Sequence, residues 1–580
     1  MAKKLLSVCL AAMMLLGIAA CGKTEETSGA TTTQKGETTT ATTTEAPVDL
    51  PYEFGLGTTF RADELTTYSM FFSDASWYPM VDTWKTEGVF KKIEEMTNIK
   101  LDITSYDSGD YNQNIGLDIN AGNSAYIIPK VYEEGQYVDG GAVVAVSDYT
   151  QYMPNYMDFV ETYQMQPELD TITRADGKYY RLPGMLESPL QDYTILIRDD
   201  IFKAAGYDVS TMEKDWTWDD LCDVLVGVKA YMVQEGMCSE SDYIWSDLWA
   251  GVESGQGKGG NILKLIGSSY GVPAGWAVED GMKFNQETGE WYFAPITDDY
   301  KEFVTVANRF VKEGILDPET FTQDDTTATN KFYNGETVII SVNRGQYATF
   351  NQGLQEVQGE GNFSTYICVY PRGNNNFIAE STRLENGVMI SKKALDELGE
   401  EGFIQMIRFV DWLFYSPEAY TLIKWGVEGE TFEFVTDPDT GLEVKQLLPG
   451  FKCSGLGISG AEEDIDIRLQ WGYAGGNFWY GGTVAEMSDN FVPAVQDYYA
   501  RLGEYRELGP TRPGLKASED QNEMINLIKT PLIDNVNSWT LGFVTGQKDI
   551  ATEWDAFVAS CQGLDSETME TMYNEIYAES

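Results

Sequence analysis

The chain has 580 residues, with 40 Lys and Arg against 91 Asp and Glu, no His, and a formal net charge of −51. That charge argues against a nucleic-acid partner, whose phosphates are held by clustered Lys and Arg, and against docking of the folded body on an anionic membrane surface. The missing His excludes Ser-His-Asp and Cys-His relays, HExxH zinc helices and His-ligated metals, while 43% hydrophobic residues indicate a globular body of two or three domains or lobes.

The first segment reads as an export signal. Lys3 and Lys4 give it a positive start, and Leu5 to Ala20 is an apolar run of 16 residues, short for a membrane span. It ends Ile18-Ala19-Ala20-Cys21-Gly22, which resembles the bacterial lipobox, with Cys21 lipidated as the mature N-terminus. The alternative is an ordinary signal peptide followed by a chance Cys. From Gly22 to Asp49, 11 of 28 residues are Thr and none is aromatic, so the segment cannot bury enough surface to fold. It suits a disordered tether, placed over 22–50, behind a signal peptide at 1–21.

Beyond the tether, short apolar runs alternate with amphipathic helices. Leu65 to Phe72 reads as a strand. Val89, Phe90, Ile93 and Met96 share a helical face, and Ile99 to Thr104 alternates as a second strand, which together begin a βαβ unit. Ile195 to Ile197 is apolar and follows a loop. Thr217 and Asp220 form a capping box for a helix whose stripe is Leu221, Val224, Leu225 and Val228. Val338 to Val342 is a strand, Gly402 to Tyr415 a buried helix, and Ser416-Pro417-Glu418 caps another. From Glu519 onward the chain reads as mostly helical.

The remaining motifs are weak. Gly255 to Gly260 matches GxGxxG, but Trp245 to Glu253 before it is no buried strand, so it reads as a mobile loop. Asp437-Pro438-Asp439-Thr440-Gly441 misses the spacing of a calcium loop and reads as a hairpin turn. Cys222, Cys238, Cys368, Cys453 and Cys561 have no CxxC spacing and read as small buried hydrophobes. Acidic pairs such as Asp199-Asp200 and Asp324-Asp325 arise readily among 91 acids and read as solvated faces.

The 74 aromatic residues carry more information. Several lie beside Gly, Asn or Asp rather than on periodic faces, as in Ser76-Trp77-Tyr78-Pro79, Gly275-Trp276, Lys424-Trp425-Gly426 and Gln470-Trp471-Gly472-Tyr473. Core packing explains any one of them. As a set they suit a cleft in which ring faces stack on the C–H-rich side of a sugar while neighbouring polar groups hydrogen-bond its hydroxyls.

An ordered series of segments resembles the lipid-anchored extracellular solute-binding proteins, family 1, of bacterial ABC importers. It runs through Trp84-Lys85-Thr86 to Asn98-Ile99, Asp176 to Pro183, Ile197 to Gly206 and Thr217 to Leu221. It continues with Glu313 to Glu319, Phe332 to Glu336, Ser416 to Ala419, Trp425 to Gly429 and Trp554 to Tyr577. One departure is Ala121 to Tyr126, where relatives carry a small-Gly-Asp-x-Pro-Asp turn; here the Pro and final Asp are missing. No calcium loop is found, although some relatives carry one.

The resemblance implies an α/β, two-lobe fold of the type II periplasmic-binding-protein kind, with hinge crossovers and a helical C-terminus. It implies one lobe from 51–185 with 387–480 and another from 190–383 with 485–580. Trp77, Tyr78, Trp276, Arg344, Trp425 and Trp471 are the expected ligand contacts, with Glu187 and Tyr126 as polar partners. No catalytic residue, cofactor or metal is expected. The implied protein is a monomer anchored by lipid on the outer face of the cell membrane. It captures a solute, foremost a neutral oligosaccharide, for an ABC permease. Peptide or other polar-solute binding, a surface-anchored glycosidase and a surface adhesin are the alternatives. Without His, solute affinity should be nearly flat from about pH 6 to 8, unless burial raises a carboxylate into that range.

Overall fold

A computed structural model describes residues 54–75, 78–380, 382–436, 443–475, 477–478 and 480–579. Cys21, the tether, Trp77 and the turn at 437–441 lie outside the described residues. Ten strands matter for the site: β1 (Thr66–Asp74), β2 (Ile99–Asp107), β3 (Ile127–Val131), β4 (Leu182–Met185), β5 (Tyr193–Arg198), β6 (Met282–Asn285), β7 (Glu290–Phe293), β8 (Ile339–Asn343), β9 (Thr365–Cys368) and β10 (Leu384–Ile390).

β1 buries Tyr68, Met70, Phe71 and Phe72 on both of its faces, as an inner parallel strand does. It pairs in parallel with β2 and β3, and the five-stranded sheet runs β2-β1-β3-β10-β4. β10 is antiparallel to both of its neighbours, Gly387 standing opposite Val131 and Leu384 opposite Met185. A second sheet runs β8-β5-β9, with β5 antiparallel to each partner.

The cores follow the sheets. One hydrophobic cluster, around the second sheet, draws on residues from Ile195 to Ile378 and from Tyr498 to Ile576. Two clusters pack on the first sheet and draw on residues from Phe60 to Met185 and from Val388 to Tyr480. The chain leaves the first core after β4 and returns to it in β10. It leaves again after Tyr480, where Leu186 bridges Gly482 and the Glu187 N–H donates to the Gly482 carbonyl at 3.1 Å.

Local chemistry sets the helix ends. Thr217 and Asp220 make the reciprocal capping box that starts the helix Trp218–Gln234. Ser416 caps Pro417–Trp425, and Ser518 with Gln521 boxes the start of Glu519–Val544. Gly399, at φ 67°, breaks Lys392–Tyr415 into a short arm and the buried helix expected from Gly402 onward. The strands Phe432–Thr436 and Glu443–Leu447 flank the expected turn and pair as an antiparallel hairpin. No helix among the described residues is long and apolar enough to cross a membrane, and the five described cysteines are free, four of them buried.

Candidate functional site

The edges of the two sheets come close enough for their charges to interact, and the space between them is the candidate crevice. β3 runs into Tyr132 and Glu133, and antiparallel β10 brings Glu385 and Asn386 to the same edge. On the other side, β5 begins at Tyr193 just after Asp192, and β8 ends opposite it, where Arg344 follows. The electrostatics tie the edges together. Burial raises the Tyr193 hydroxyl above its ordinary range, with Asp192, Glu380, Tyr132 and Glu385 adding to the rise. Desolvation by the surrounding protein raises the exposed Glu279 as well, against the nearby Arg512, and the Glu133 carboxylate from the opposite edge adds to it.

Three aromatic rings form the floor. Tyr193 meets Trp249 edge-on at 5.1 Å and Trp276 at 5.3 Å, and the two indoles lie 5.9 Å apart. The Lys264 ammonium sits 4.6 Å from the Tyr193 centroid and 5.6 Å from that of Trp276. It pairs with Glu380, which also accepts the Asp192 backbone N–H at 2.7 Å. Such a cation over ring faces fixes the rings from behind.

The backbone around these rings is held in unusual conformations. Trp249 (φ 61°), Lys130 (φ 60°) and Glu279 (φ 43°) are non-glycine residues in the left-handed region, which costs energy and concentrates at ligand-holding sites. The glycine loop expected to be mobile explains how the indoles approach. It is a run of turns leading into the helix Gly260–Ser269. Gly260 lies at φ 56°, and a Cβ there would stand 1.6 Å from the Trp249 carbonyl oxygen. At Gly275, also φ 56°, a Cβ would stand 2.1 Å from the Gly260 carbonyl oxygen. The glycines bring the backbones of Trp249 and Trp276 against one helix start, a packing role and not a phosphate cradle.

The polar groups suit hydroxyl-rich ligands. Tyr132 is 61% exposed on its edge, and Glu133 and Glu385 are exposed acids without an ion-pair partner among the described residues. Although Glu385 is exposed, desolvation by the surrounding protein raises its carboxyl, opposed by Lys130. Arg512 is committed to Glu279 and Asp280, each at 2.7 Å. No group of three or more acid, Cys or His side chains among the described residues could hold a metal ion.

The expected contacts divide. Trp276 is one of the three floor rings, and Arg344 lies on the same edge, its Nε 3.6 Å from Asp192. Glu187 lies in the crossover, where its carboxylate accepts the Val484 N–H at 2.7 Å. Tyr126 precedes β3, at the opposite end of that strand from Tyr132, and its hydroxyl donates to Glu397 at 2.6 Å. Trp471 is half-buried against Phe451 at 5.5 Å. Tyr78 and Trp425 are corrections: each is 1% exposed and packs in the core of the first sheet. Tyr78 stacks on Phe72 and donates to the Gly472 carbonyl at 2.7 Å, and the Trp425 indole donates to Asp489 at 2.9 Å. Both polar tips are satisfied inside the fold, which leaves nothing for a ligand.

Sequence reading missed Tyr193, Trp249, Tyr132, Lys264 and Glu380. Trp249 sits in the stretch set aside as a lead-in to the glycine loop; the available signal was an aromatic directly before a run of close-approach glycines.

Residues 88–394 match the family model described as bacterial extracellular solute-binding protein. Solved structures share the fold at low sequence identity. The alginate-binding protein AlgQ2, solved without calcium ion, matches with a TM-score of 0.65 at 16% identity, over 90% of this chain and 99% of that one. The Streptococcus pneumoniae ABC-transporter substrate-binding protein FusA, an EF-hand mutant in complex with fructo-nystose, matches at 0.61 and 18%, over 88% and 99%. An HMO-binding, ABC-transporter-associated solute-binding protein from Bifidobacterium longum infantis matches at 0.64 and 13%, over 89% and 99%. Among proteins of curated function, none matches the chain.

Proposed function

The chain belongs to the bacterial extracellular solute-binding protein family, and from that premise we propose that it is a non-enzymatic capture protein for an oligosaccharide. The two sheets and their cores are read as two lobes, 51–185 with 387–480 and 190–383 with 485–580, closing on a solute at their facing edges. The observation that carries this reading is the floor of Tyr193, Trp249 and Trp276, set opposite Tyr132, Glu133 and Glu385. Ring faces stack on pyranose C–H surfaces, while ionised acids and amides accept sugar hydroxyls. Structural relatives described as binding alginate, fructo-nystose and HMO support a carbohydrate.

In this reading Cys21 carries a lipid that anchors the chain on the outer face of the membrane. The Thr-rich segment tethers the body, and a monomer delivers its solute to the membrane subunits of an ABC importer. The crevice cations Lys264, Arg344 and Arg512 each have an acid partner, which leaves none of the three free for an acidic sugar and favours a neutral glycan. The test is a thermal-shift screen of neutral oligosaccharides, uronate oligosaccharides and peptides, since a ligand of the native state raises the melting point with concentration. A response to neutral glycans supports the reading; a response to peptides alone refutes it.

A further inference from the structure

A cavity of about 440 Å³ lies beside the crossover at Gly481–Thr483 and shares no residue with the aromatic floor of the crevice. Its size falls in the range of small-molecule sites. Phe159, Tyr163, Phe414, Tyr415, Tyr420 and Tyr480 wall it, with Asp158, Glu418 and Glu486, and no Lys or Arg lines it. Tyr480 separates it from the crevice: Phe414 stacks on the Tyr480 ring at 5.7 Å, and Lys130 of the crevice edge lies 5.5 Å from the same ring.

The acids converge without a counter-ion. Burial raises the Tyr163 hydroxyl above its ordinary range, and the charges of Glu187, Glu486 and Asp158 add to that rise; Asp158 and Glu486 line the cavity with Tyr163. The nearby cations pair with other carboxylates, Arg383 with Glu168 and Lys424 with Asp489; toward the cavity they reach backbone carbonyls, of Tyr163 and Glu486, and the Tyr420 ring, 5.5 Å from the Lys424 ammonium. Glu418 is already satisfied by the Thr59 hydroxyl at 2.7 Å and the Trp412 indole at 2.8 Å. An anion placed here would meet uncompensated negative charge. A cation would gain from the ring faces and from the carboxylates together.

We propose that this cavity is a second binding site, separate from the solute crevice, that takes an organic ammonium ion.

Calorimetry and thermal shift on the full chain test it with choline and spermidine, which separate a quaternary ammonium from a polyamine. The controls are 3,3-dimethylbutan-1-ol, the uncharged isostere of choline, and NaCl at matched ionic strength. At least one amine should bind saturably and the controls should not. Asp158→Asn with Glu486→Gln should weaken that binding about tenfold, as loss of charge from a cation site does. Gln at 486 preserves the capping box with Thr483, so the double variant keeps its fold. Trp276→Ala should leave amine binding unchanged, which separates this site from the crevice. Binding of the alcohol as tight as choline, no saturable response to either amine, or an unaltered double variant would each overturn the proposal.

Discussion

The Asp325 carboxylate accepts the Trp249 backbone N–H at 2.9 Å. The same oxygen accepts the Ser254 hydroxyl at 2.8 Å, and the Ser254 carbonyl receives the Trp276 indole N–H at 3.0 Å. One acid at the start of the helix Asp325–Tyr333 therefore sets the position of both indoles.

Asp325→Ala should weaken solute binding by about 1.5–3 kcal/mol, the range for lost hydrogen bonds to a charged group. Asp325→Asn, which keeps an acceptor, should recover much of it. Calorimetry decides, and an Ala variant that binds like the parent would show that the loop holds its shape without the acid.

Trp276 and Trp425 should respond differently to truncation. Trp276→Ala should cost about 2 kcal/mol or more in solute affinity, as a stacking anchor does, with little effect on stability. Trp425→Ala empties a core position and should cost about 3–5 kcal/mol of folding free energy. Paired melting and binding curves separate the two, and equal stability losses would erase the distinction between floor and core.

Stability should depend on pH although His is absent. Asp411 is buried and pushed up to about 7 by that burial, against the N–H groups of Asn155 and Tyr156 that bind it. Asp247 is raised to about 6 for the same reason, against its bonds to Ser341. Between the unfolded value near 4 and these folded values, the native state holds protons that the unfolded state lacks, so stability falls as pH rises. Burial lowers Lys424 to about 8, so its contribution is lost as pH falls through 8 and recovers above it. A stability minimum near pH 7–8 follows, with a decline of about 1 kcal/mol per pH unit approaching it from the acid side. Melting curves from pH 5 to 9 check this. A flat profile would mean that the bonds to Asp411 and Asp247 outweigh their burial.

The anchor makes its own prediction. Cys21→Ala should leave the membrane fraction or remain unprocessed in a bacterial host. A variant that fractionates and migrates like the parent would remove the lipid from the account.

Much of the frame was legible because it rests on local chemistry. Periodicity located β1 and β2, and the Thr217–Asp220 box and the Ser416 cap marked helix starts that the structure reproduces. The site was legible only in part. Trp276 was singled out because it follows a glycine, and it lies beside Tyr193 and Trp249, but Trp425 and Tyr78 have the same Gly- or Pro-flanked context and lie in the core. Flanking residues report turn chemistry; which way a ring points depends on long-range contacts such as that of Trp425 with Asp489. Tyr193 and Trp249 were invisible because strand pairing and a distant carboxylate bring them to Trp276. Absent His argued for a solute affinity nearly flat near neutral pH, whereas the pH dependence of stability rests on groups of another kind, the buried acids Asp247 and Asp411.

The central claim is that Tyr193, Trp249 and Trp276 form the floor on which a neutral glycan stacks. It is tested most directly by calorimetry of one responsive neutral oligosaccharide against the parent, Trp249→Ala, Trp276→Ala and Tyr193→Ala. The account predicts that each variant stays folded and that at least two lose about tenfold or more in affinity. All three folded and binding within twofold of the parent would contradict it.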